Sequence, residues 1–141
     1  AETPGLAPCA FLTIWNVRGE YLDMSMVQRS GDMLTASGAG GINEIQYAAL
    51  LIMIAHVTGY KPGVFTHFVA NEQIYDRHEE QARAMLSRWH NRDHGWDDDQ
   101  EPAPTLVLND KVTDFYDFTI DDFHMINYEP IKPQLKLELG I

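Results

Sequence analysis

Cys9, in the stretch LAPCAF, is the one cysteine among the 141 residues and the first candidate for chemistry. A thiolate is intrinsically nucleophilic at neutral pH, so such a residue can attack an electrophilic carbon and later depart from it. Most single cysteines instead serve as small buried hydrophobes, and reactive ones need neighbours that stabilise the thiolate. Cys9 follows a proline at the start of a strand-like run, and that position alone leaves both roles open.

A histidine pair downstream offers a second kind of chemistry. His90 and His94 lie four residues apart, with Asp93 and the aspartates at 97–99 nearby, and such side chains can ligate metals. No further ligand stands at a fixed spacing from them, so a solvated polar loop explains the stretch better. We therefore expect an exposed loop over residues 90–104 and no metal site.

A glycine-rich stretch precedes the longest apolar segment. SGAGG, at residues 37–41, leads into INEIQYAALLIMIAHVTG, and the start of a helix can bind a phosphate. The stretch lacks the lysine of a P-loop and does not fit G-x-G-x-x-G. It is weak evidence for a phosphate site, and we interpret it as a connecting loop.

Hydrophobic periodicity predicts the elements that position these residues. AFLTIWNV (10–17) and YLDMSMVQ (21–28) alternate on either side of a turn at Arg18 and Gly19, which predicts a hairpin. A helix follows, with Asn43 and Gln46 as the N-cap and N3 residues of a capping box and Gly59 at its end. Strands joined mostly without helical crossovers indicate an α+β fold. The other predicted elements are a strand over 63–71, an amphipathic helix over 74–89, a strand at TLVLN (105–109), and strand-like pieces at DFHMINYEP (122–130) and QLKLELGI (134–141).

The composition is typical of one water-soluble domain. Apolar residues make up 45% and charged residues 22% of the chain, and 141 residues can bury a real core. A single cysteine excludes an internal disulfide, which favours a reducing compartment such as the cytoplasm. Ten Lys and Arg residues against 21 Asp and Glu give a net charge of −11, which argues against a nucleic-acid partner. The sequence shows neither an apolar run long enough for a membrane span nor a signal-peptide pattern, so we expect no membrane partner.

Several motifs, taken in order, resemble the thymidylate synthase family. APC precedes the hairpin, QRSGD (28–32) follows it, an asparagine opens the long helix, and IYDRHEEQ (74–81) and DFTIDDFHMINYEP (117–130) come later. The similarity runs to the terminal isoleucine and covers essentially all of this chain, but only the C-terminal half of that family's subunit. It implies one α+β domain over residues 1–141, with a mixed sheet, a long buried helix and a second amphipathic helix. It also implies a homodimer packed sheet to sheet, for which the outer faces of both hairpin strands are candidates.

The resemblance implies reductive methylation of dUMP to dTMP, with 5,10-methylenetetrahydrofolate as co-substrate and without a metal. A nucleophile adds to C6 of uracil, and C5 becomes an enolate-like carbon that attacks the one-carbon donor. Cys9 matches that nucleophile, and Arg29 and Ser30 match the residues that bind the dUMP phosphate. Gln28 matches a glutamine that lines the nucleotide site. The family's arginine lies near the cysteine, where a guanidinium favours the thiolate.

Other matches concern the base, the ribose and the folate. Asn43 matches the asparagine whose amide reads the O4 and N3 edge of uracil, a pattern that separates uracil from cytosine. A helix N-cap would compete for the same side chain. Gln73 and Tyr75 stand where the family has a histidine and a tyrosine at the ribose 3′-hydroxyl. Asp32 matches the folate-contacting aspartate, and the resemblance places the terminal Ile141 at the folate site as well.

The chain departs from the family pattern in four places. Ala10 replaces a histidine beside the nucleophile, and Gln73 replaces the ribose-binding histidine. Asn71 stands where the family often has an aspartate. The stretch from Asp32 to Asn43 is longer than the usual family spacing, which makes Asn43 the least secure of the matched positions.

The resemblance also implies what lies outside this chain. In that family the N-terminal half carries a glutamate that manages protons at the pyrimidine, a further phosphate arginine, a folate-stacking tryptophan and the arginines lent to the partner subunit. The chain begins AETPGLAPC without a methionine, so we interpret it as a fragment that is inactive without that half. Two alternatives stay open: a non-catalytic nucleotide-binding or dimerisation module, and a pyrimidine hydroxymethylase, which shares the nucleophile.

Overall fold

The computed structural model describes residues 7–38, 41–90 and 103–138. Within them the chain forms two units that divide between Ile74 and Tyr75. The first unit holds a three-stranded sheet, a small two-stranded sheet and a long helix, and the second holds a shorter helix and a strand pair. The single domain expected over residues 1–141 stays a prediction.

A β-hairpin begins the larger sheet of the first unit. β1 (Ala10–Arg18) pairs antiparallel with β2 (Tyr21–Gln28), which confirms the hairpin predicted from the alternation. Gly19 in the turn has a φ of 62°, in the left-handed region that glycine adopts without steric cost. The pairing shifts register between Ala10 and Leu12, so a bulge lies directly after Cys9.

β2 is the central strand of this sheet. β4 (Lys61–Val69) lies beside it and runs parallel to it, and β1 lies on the other side. Parallel neighbours need a crossover connection, which α1 (Ile42–Thr58) supplies. The sheet is therefore mixed, as expected. The crossover is a β-α-β unit of the kind that we expected to be rare in this chain.

The two ends of α1 differ in how well the sequence predicted them. Gly59 ends the helix with a φ of 76°, and its N–H donates to the His56 carbonyl at 3.3 Å, which confirms the predicted stop. The predicted capping box is wrong, because the N-cap is Gly41 and no side chain caps the helix. Asn43 lies inside the first turn, and its side chain bonds to a residue of β2 instead.

One face of the larger sheet packs against α1 and forms the core. Burying a leucine or methionine side chain contributes about 1.5–3 kcal/mol, so this contact is the main tie between helix and sheet. The cluster comprises buried Leu22, Met24, Leu51 and Ala55, with Trp15, Tyr47, Ile54 and Phe65 partly buried against it.

The opposite face of the sheet is apolar along its two outer strands. The register places Leu12, Val27 and Phe68 in one row across β1, β2 and β4. Ile14 is 55% exposed and Phe68 59% exposed. On β2, however, Leu22, Met24 and Met26 are buried on the helix side, and polar residues alternate with them. The expectation that β2 also contributes an apolar outer face is therefore wrong, apart from Val27.

A smaller sheet follows the hairpin. β3 (Gly31–Asp32) pairs parallel with β5 (Glu72–Gln73), and a π-helical turn over Met33–Ser37 follows β3. Asp32 caps that turn, since its carboxylate accepts from Leu34 N at 3.1 Å and Thr35 Oγ1 at 2.6 Å. A Cβ on Gly31 would overlap the Ser37 hydroxyl, so a larger residue there would displace the turn.

The second unit begins with a 3₁₀ turn over Asp76–His78, which leads into α2 (Glu79–His90). The amphipathic helix is thus present, but α2 starts later than the predicted residue 74. β6 (Thr105–Leu108) and β7 (Phe123–Ile126) pair antiparallel, which confirms both predicted strands. Most of the predicted loop over 90–104, with His94 and its aspartates, lies outside the described residues.

The C-terminal segment differs from its prediction. QLKLELGI was expected to be strand-like, yet residues 134–138 form no strand, and 139–141 lie outside the described part of the chain. Side chains at or near α2 bind carbonyls of this segment: His78 Nε2 lies 2.7 Å from Glu138 O, and Arg88 donates to Pro133 O at 2.8 Å. In the described part of the segment these side-chain contacts take the place of a partner strand.

Length and composition alone would allow the segment Met33–Thr58 to cross a membrane. Core helices of water-soluble proteins pass the same test, and Leu51 and Ala55 of α1 are buried against the sheet. The expected absence of a membrane span stays a prediction.

Candidate functional site

The hairpin brings Cys9 to the residues that follow β2. Ala10 pairs with Gln28, so the residue before β1 lies beside the residues after β2. The Cys9 Sγ is 3.6 Å from the Ser30 Oγ, and Arg29 N donates to the Cys9 carbonyl at 2.9 Å. Cys9 thus contacts two of the predicted site positions: Ser30 through its half-buried thiol and Arg29 through its backbone carbonyl.

Arg29 reaches back along the same edge. Its guanidinium donates to the Ala7 carbonyl at 2.9 Å, while the side chain stays exposed. A guanidinium has five N–H donors, so one such bond leaves donors for an anion. Ser30 therefore provides a hydroxyl beside the thiol, and Arg29 provides an exposed cation at the same edge of the sheet.

Gln28 is fully buried at the end of β2 and uses both ends of its amide. Its Nε2 donates to the Ser30 carbonyl at 2.8 Å. Its Oε1 lies 3.1 Å from Asn43 Nδ2 and 3.2 Å from His67 Nε2. The amide links the edge that carries Cys9 to the first turn of α1.

Asn43 and Glu44 both lie in that first turn. Asn43 bonds to Gln28, and a Glu44 carboxylate oxygen lies 3.3 Å from His67 Nδ1. Glu44 and His67 also line a cavity of about 470 Å³, together with Ile45, Ala48 and Phe65.

His67 is the site residue that the sequence analysis missed. It lies on β4, and its side chain is only 8% exposed. The alternation of β4 could have identified it, because that pattern places residue 67 on the same face as Phe65, towards the helix. A histidine at a buried position of a strand needs polar partners, and such partners mark a polar cluster.

The remaining predicted residues occupy less central positions. Asp32 pairs with Gln73 in the small sheet, and its carboxylate caps the turn after β3. Ser37 donates to Glu72 at 2.5 Å, which joins the same turn to β5. Gln73 is exposed at the end of the first unit, so its ribose role and the folate role of Asp32 stay predictions.

Tyr75 opens the second unit. Its ring stands edge-on to His78, with centroids 5.7 Å apart, and the Arg77 guanidinium carbon lies 5.8 Å from its ring centroid. These contacts lie within the second unit, and the ribose role of Tyr75 stays a prediction. Ile141 lies outside the described residues.

The predicted absence of a metal site stays a prediction, because most of the candidate stretch around His94 lies outside the described residues. Over residues 7–38, 41–90 and 103–138, no group of three or more metal-ligating side chains comes together. The histidine and aspartates at 93–99 fall outside those ranges.

Comparison with known proteins identifies a family. The family model for thymidylate synthase matches residues 2–141. The thymidylate synthase of Streptococcus agalactiae serotype Ia is 46% identical over 145 residues, which cover 99% of this chain and 48% of that protein. The thymidylate synthase of Lactococcus lactis subsp. cremoris is 44% identical over 146 residues, with the same coverage.

A solved structure agrees with the sequence relatives. The thermostable thymidylate synthase A from Bacillus subtilis aligns with a TM-score of 0.75 and 36% identity, over 92% of this chain and 42% of that one. The chain spans about half the length of the curated relatives that it matches.

Proposed function

Because the chain belongs to the thymidylate synthase family, we propose that it carries the nucleophile and much of the nucleotide site of an enzyme that converts dUMP to dTMP. The observation that carries the proposal is the contact between the Cys9 thiol and the Ser30 hydroxyl. Arg29 directly precedes Ser30 in the sequence. The rest of the subunit, which this chain does not include, completes the site.

Cys9 acts as the nucleophile. Its thiolate forms a bond to C6 of uracil, the electron pair of the C5–C6 double bond moves towards O4, and C5 becomes able to attack a one-carbon donor. 5,10-Methylenetetrahydrofolate supplies that carbon and the reducing equivalents when it is bound. Once the carbon is bonded to C5, C5 loses its proton, the bond from that carbon to the folate nitrogen breaks, and a hydride from the folate completes the methyl group. The C5–C6 double bond re-forms as the Cys9 thiolate leaves C6, because a thiolate is also a good leaving group.

Arg29 and Ser30 hold the phosphate of dUMP. The chain has a net charge of −11, so an anionic substrate depends on local donors. A guanidinium and a hydroxyl on adjacent residues can bind two phosphate oxygens, and the backbone bond from Arg29 to Cys9 fixes their distance from the nucleophile.

Asn43 reads the base. One of its two N–H groups donates to Gln28, which leaves an N–H for O4 and the amide oxygen for N3–H of uracil. Negative charge develops on O4 when the thiolate adds to C6, so the same N–H stabilises the transition state. We assign Gln73 and Tyr75 to the ribose, and Asp32 and Ile141 to the folate.

The assembly that we propose is a homodimer in the cytoplasm. The exposed face with Leu12, Ile14 and Phe68 is continuous across the hairpin and β4, and a second copy of the subunit would cover it. The single cysteine of this chain is compatible with a reducing compartment.

The test is covalent trapping on the full-length protein. Incubation with 5-fluoro-dUMP and the folate should leave an adduct that peptide mass spectrometry assigns to Cys9, because fluorine at C5 blocks the later proton loss. The Cys9→Ser variant should form no adduct and should lose at least a thousandfold in kcat, as expected when an essential nucleophile is lost.

Two outcomes would contradict the proposal. One is an adduct on another residue, and the other is a Cys9→Ser enzyme with the parent rate. The 141-residue chain alone should form no dTMP, so dTMP made by that chain unaided would overturn our view that the rest of the subunit completes the site.

A further inference from the structure

Four polar side chains form a chain of contacts between β2, α1 and β4, which we call the polar cluster. Gln28 contacts Asn43 and His67, His67 contacts Glu44, and Glu44 follows Asn43 in sequence. Gln28 is fully buried and His67 nearly so. Buried polar groups of this kind must match donor to acceptor, so the polar cluster restricts the orientation of each amide.

The orientation of Gln28 follows from a backbone carbonyl. Ser30 O can only accept, so the Gln28 atom at 2.8 Å from it is the donor Nε2. Gln28 Oε1 therefore points at both Asn43 and His67, and both must donate to it. It follows that Nε2 of His67 carries a proton.

Glu44 fixes the other side of the imidazole ring. Its carboxylate lies 3.3 Å from Nδ1, so the imidazole is held between Gln28 on one side and Glu44 on the other. Because Glu44 directly follows Asn43 on α1, the same helical turn holds the first and last side chains of the polar cluster.

We propose that His67 is a positioning residue for pyrimidine recognition: through its Nε2–H it holds Gln28 Oε1 towards Asn43, and so makes Asn43 select uracil over cytosine. The proposal deepens the proposed function and rests on it. His67 touches Gln28, and it acts on the base only through the two amides.

The selectivity arises from what a flipped Asn43 would meet. Cytosine has an amino group at C4 and a bare N3, so to bind it Asn43 would have to exchange its oxygen and nitrogen. Its oxygen would then face Gln28 Oε1, acceptor against acceptor. Gln28 could relieve this only by flipping too, which would set its oxygen against Ser30 O and its N–H groups against the His67 N–H. Each flip leaves buried groups mismatched, and this opposes cytosine.

Two substitutions at position 67 test the proposal in the full-length protein. His67→Leu removes the donor, so Gln28 is held by Ser30 alone, and the ratio of kcat/KM for dUMP to that for dCMP should fall about five- to tenfold. His67→Gln places an amide N–H near the position of Nε2, and should restore most of the ratio. Where dCMP turnover is too slow, the ratio of the two dissociation constants replaces it.

Leu51→Val is the control for packing. Leu51 is buried in the core between α1 and the larger sheet and is not one of the four polar side chains, so the smaller residue should lower stability yet leave the dUMP/dCMP ratio unchanged. Both nucleotides compete for the same folded protein, and a purely structural effect therefore cancels in the ratio.

A direct readout accompanies the kinetics. The ¹⁵N spectrum of histidine-labelled parent protein, with the His67 signal assigned by its loss in His67→Gln, should show a protonated Nε2. A bare Nε2 would overturn the proposal, and so would a His67→Leu enzyme with the parent ratio. A parent protein that binds neither nucleotide would instead overturn the proposed function, and this proposal with it.

Discussion

Asn43 had two possible uses in the sequence, as a helix cap and as a reader of the pyrimidine edge. In the structure it is the second residue of α1, the N-cap is Gly41, and its amide nitrogen donates to Gln28 Oε1 at 3.1 Å. The competing use is therefore removed. What remains of the amide is one N–H and one oxygen, the pair that uracil requires.

Asn43→Asp should shift substrate choice towards dCMP. A protonated aspartate can donate to N3 of cytosine and accept from its amino group, whereas an ionised one repels O4 of uracil. We expect the dCMP/dUMP ratio of kcat/KM to rise at least tenfold in the full-length protein, roughly the value of one good hydrogen bond to a charged group. Gln46→Glu, an exposed amide-to-acid change on the same helix, is the control. If both variants keep the parent ratio, Asn43 does not read the base.

At the residue scale the sequence predicted the immediate neighbours of Cys9 better than the buried polar side chains around Gln28. Cys9, Arg29 and Ser30 lie on two sides of one hairpin, so a local pattern was enough to bring them together. His67 lies on a strand that joins the sheet through a crossover, and its partners are distant in sequence. Which distant strand lies beside β2 depends on packing across the whole unit, and the sequence pattern does not specify that.

Among the elements, the turn before β7 depends on one aspartate. Asp122 is buried, and its carboxylate accepts from Asn109 Nδ2 at 2.7 Å and from both the N–H and the hydroxyl of Thr119 at 2.8 Å. The hydrogen bond from Asn109 comes first, and those from Thr119 add to it, in lowering the pKa of Asp122 below its ordinary value. The ionised carboxylate thus joins the ends of β6 and β7.

Asp122→Asn should destabilise the full-length protein at neutral pH, because an amide cannot accept at both of its ends. The folded-state pKa of Asp122 is lowered, so its contribution is present above the unfolded-state pKa of about 3.9 and is lost as pH falls through the folded value. The difference in unfolding free energy between parent and variant should therefore shrink between pH 7 and about pH 3.5. Urea unfolding at both pH values measures it.

Asp121→Asn removes a neighbouring carboxylate that is exposed, and it is the matched control. It should change stability little at either pH. Equal behaviour of the two variants would show that Asp122 does not stabilise this turn in its ionised form.

The elements themselves were predictable where a local signal was strong. Gly59 stops α1 and Gly19 turns the hairpin, and both adopt the left-handed backbone that favours glycine. The errors came where a distant partner decided the outcome. Asn43 bonds to Gln28 instead of capping its helix. The carbonyls of Pro133, Lys136 and Glu138 contact side chains of the second unit instead of a partner strand.

At the scale of the whole molecule, the main feature is a sheet face that no described residue of the first unit covers. α1 packs on one face only, and the other carries Leu12, Ile14, Val64 and Phe68 at exposed positions. Exposed apolar areas of this kind usually mark an interface. The homodimer proposed above would place a second copy of the subunit on this face.

If the full-length protein is the proposed homodimer, Phe68→Lys should convert it into monomers. Two lysines brought to a face-to-face sheet contact would lose water without gaining an acceptor, which costs several kcal/mol per buried charge. Light scattering measures the mass, and dTMP formation should fall with it if the partner subunit completes the phosphate site. Val17→Lys adds the same charge to the same sheet, but Val17 pairs with Leu22 and so lies on the α1 side of that sheet. That control should stay dimeric. A dimeric Phe68→Lys protein, or a monomeric parent, would show that this face is not the interface between two copies of the subunit.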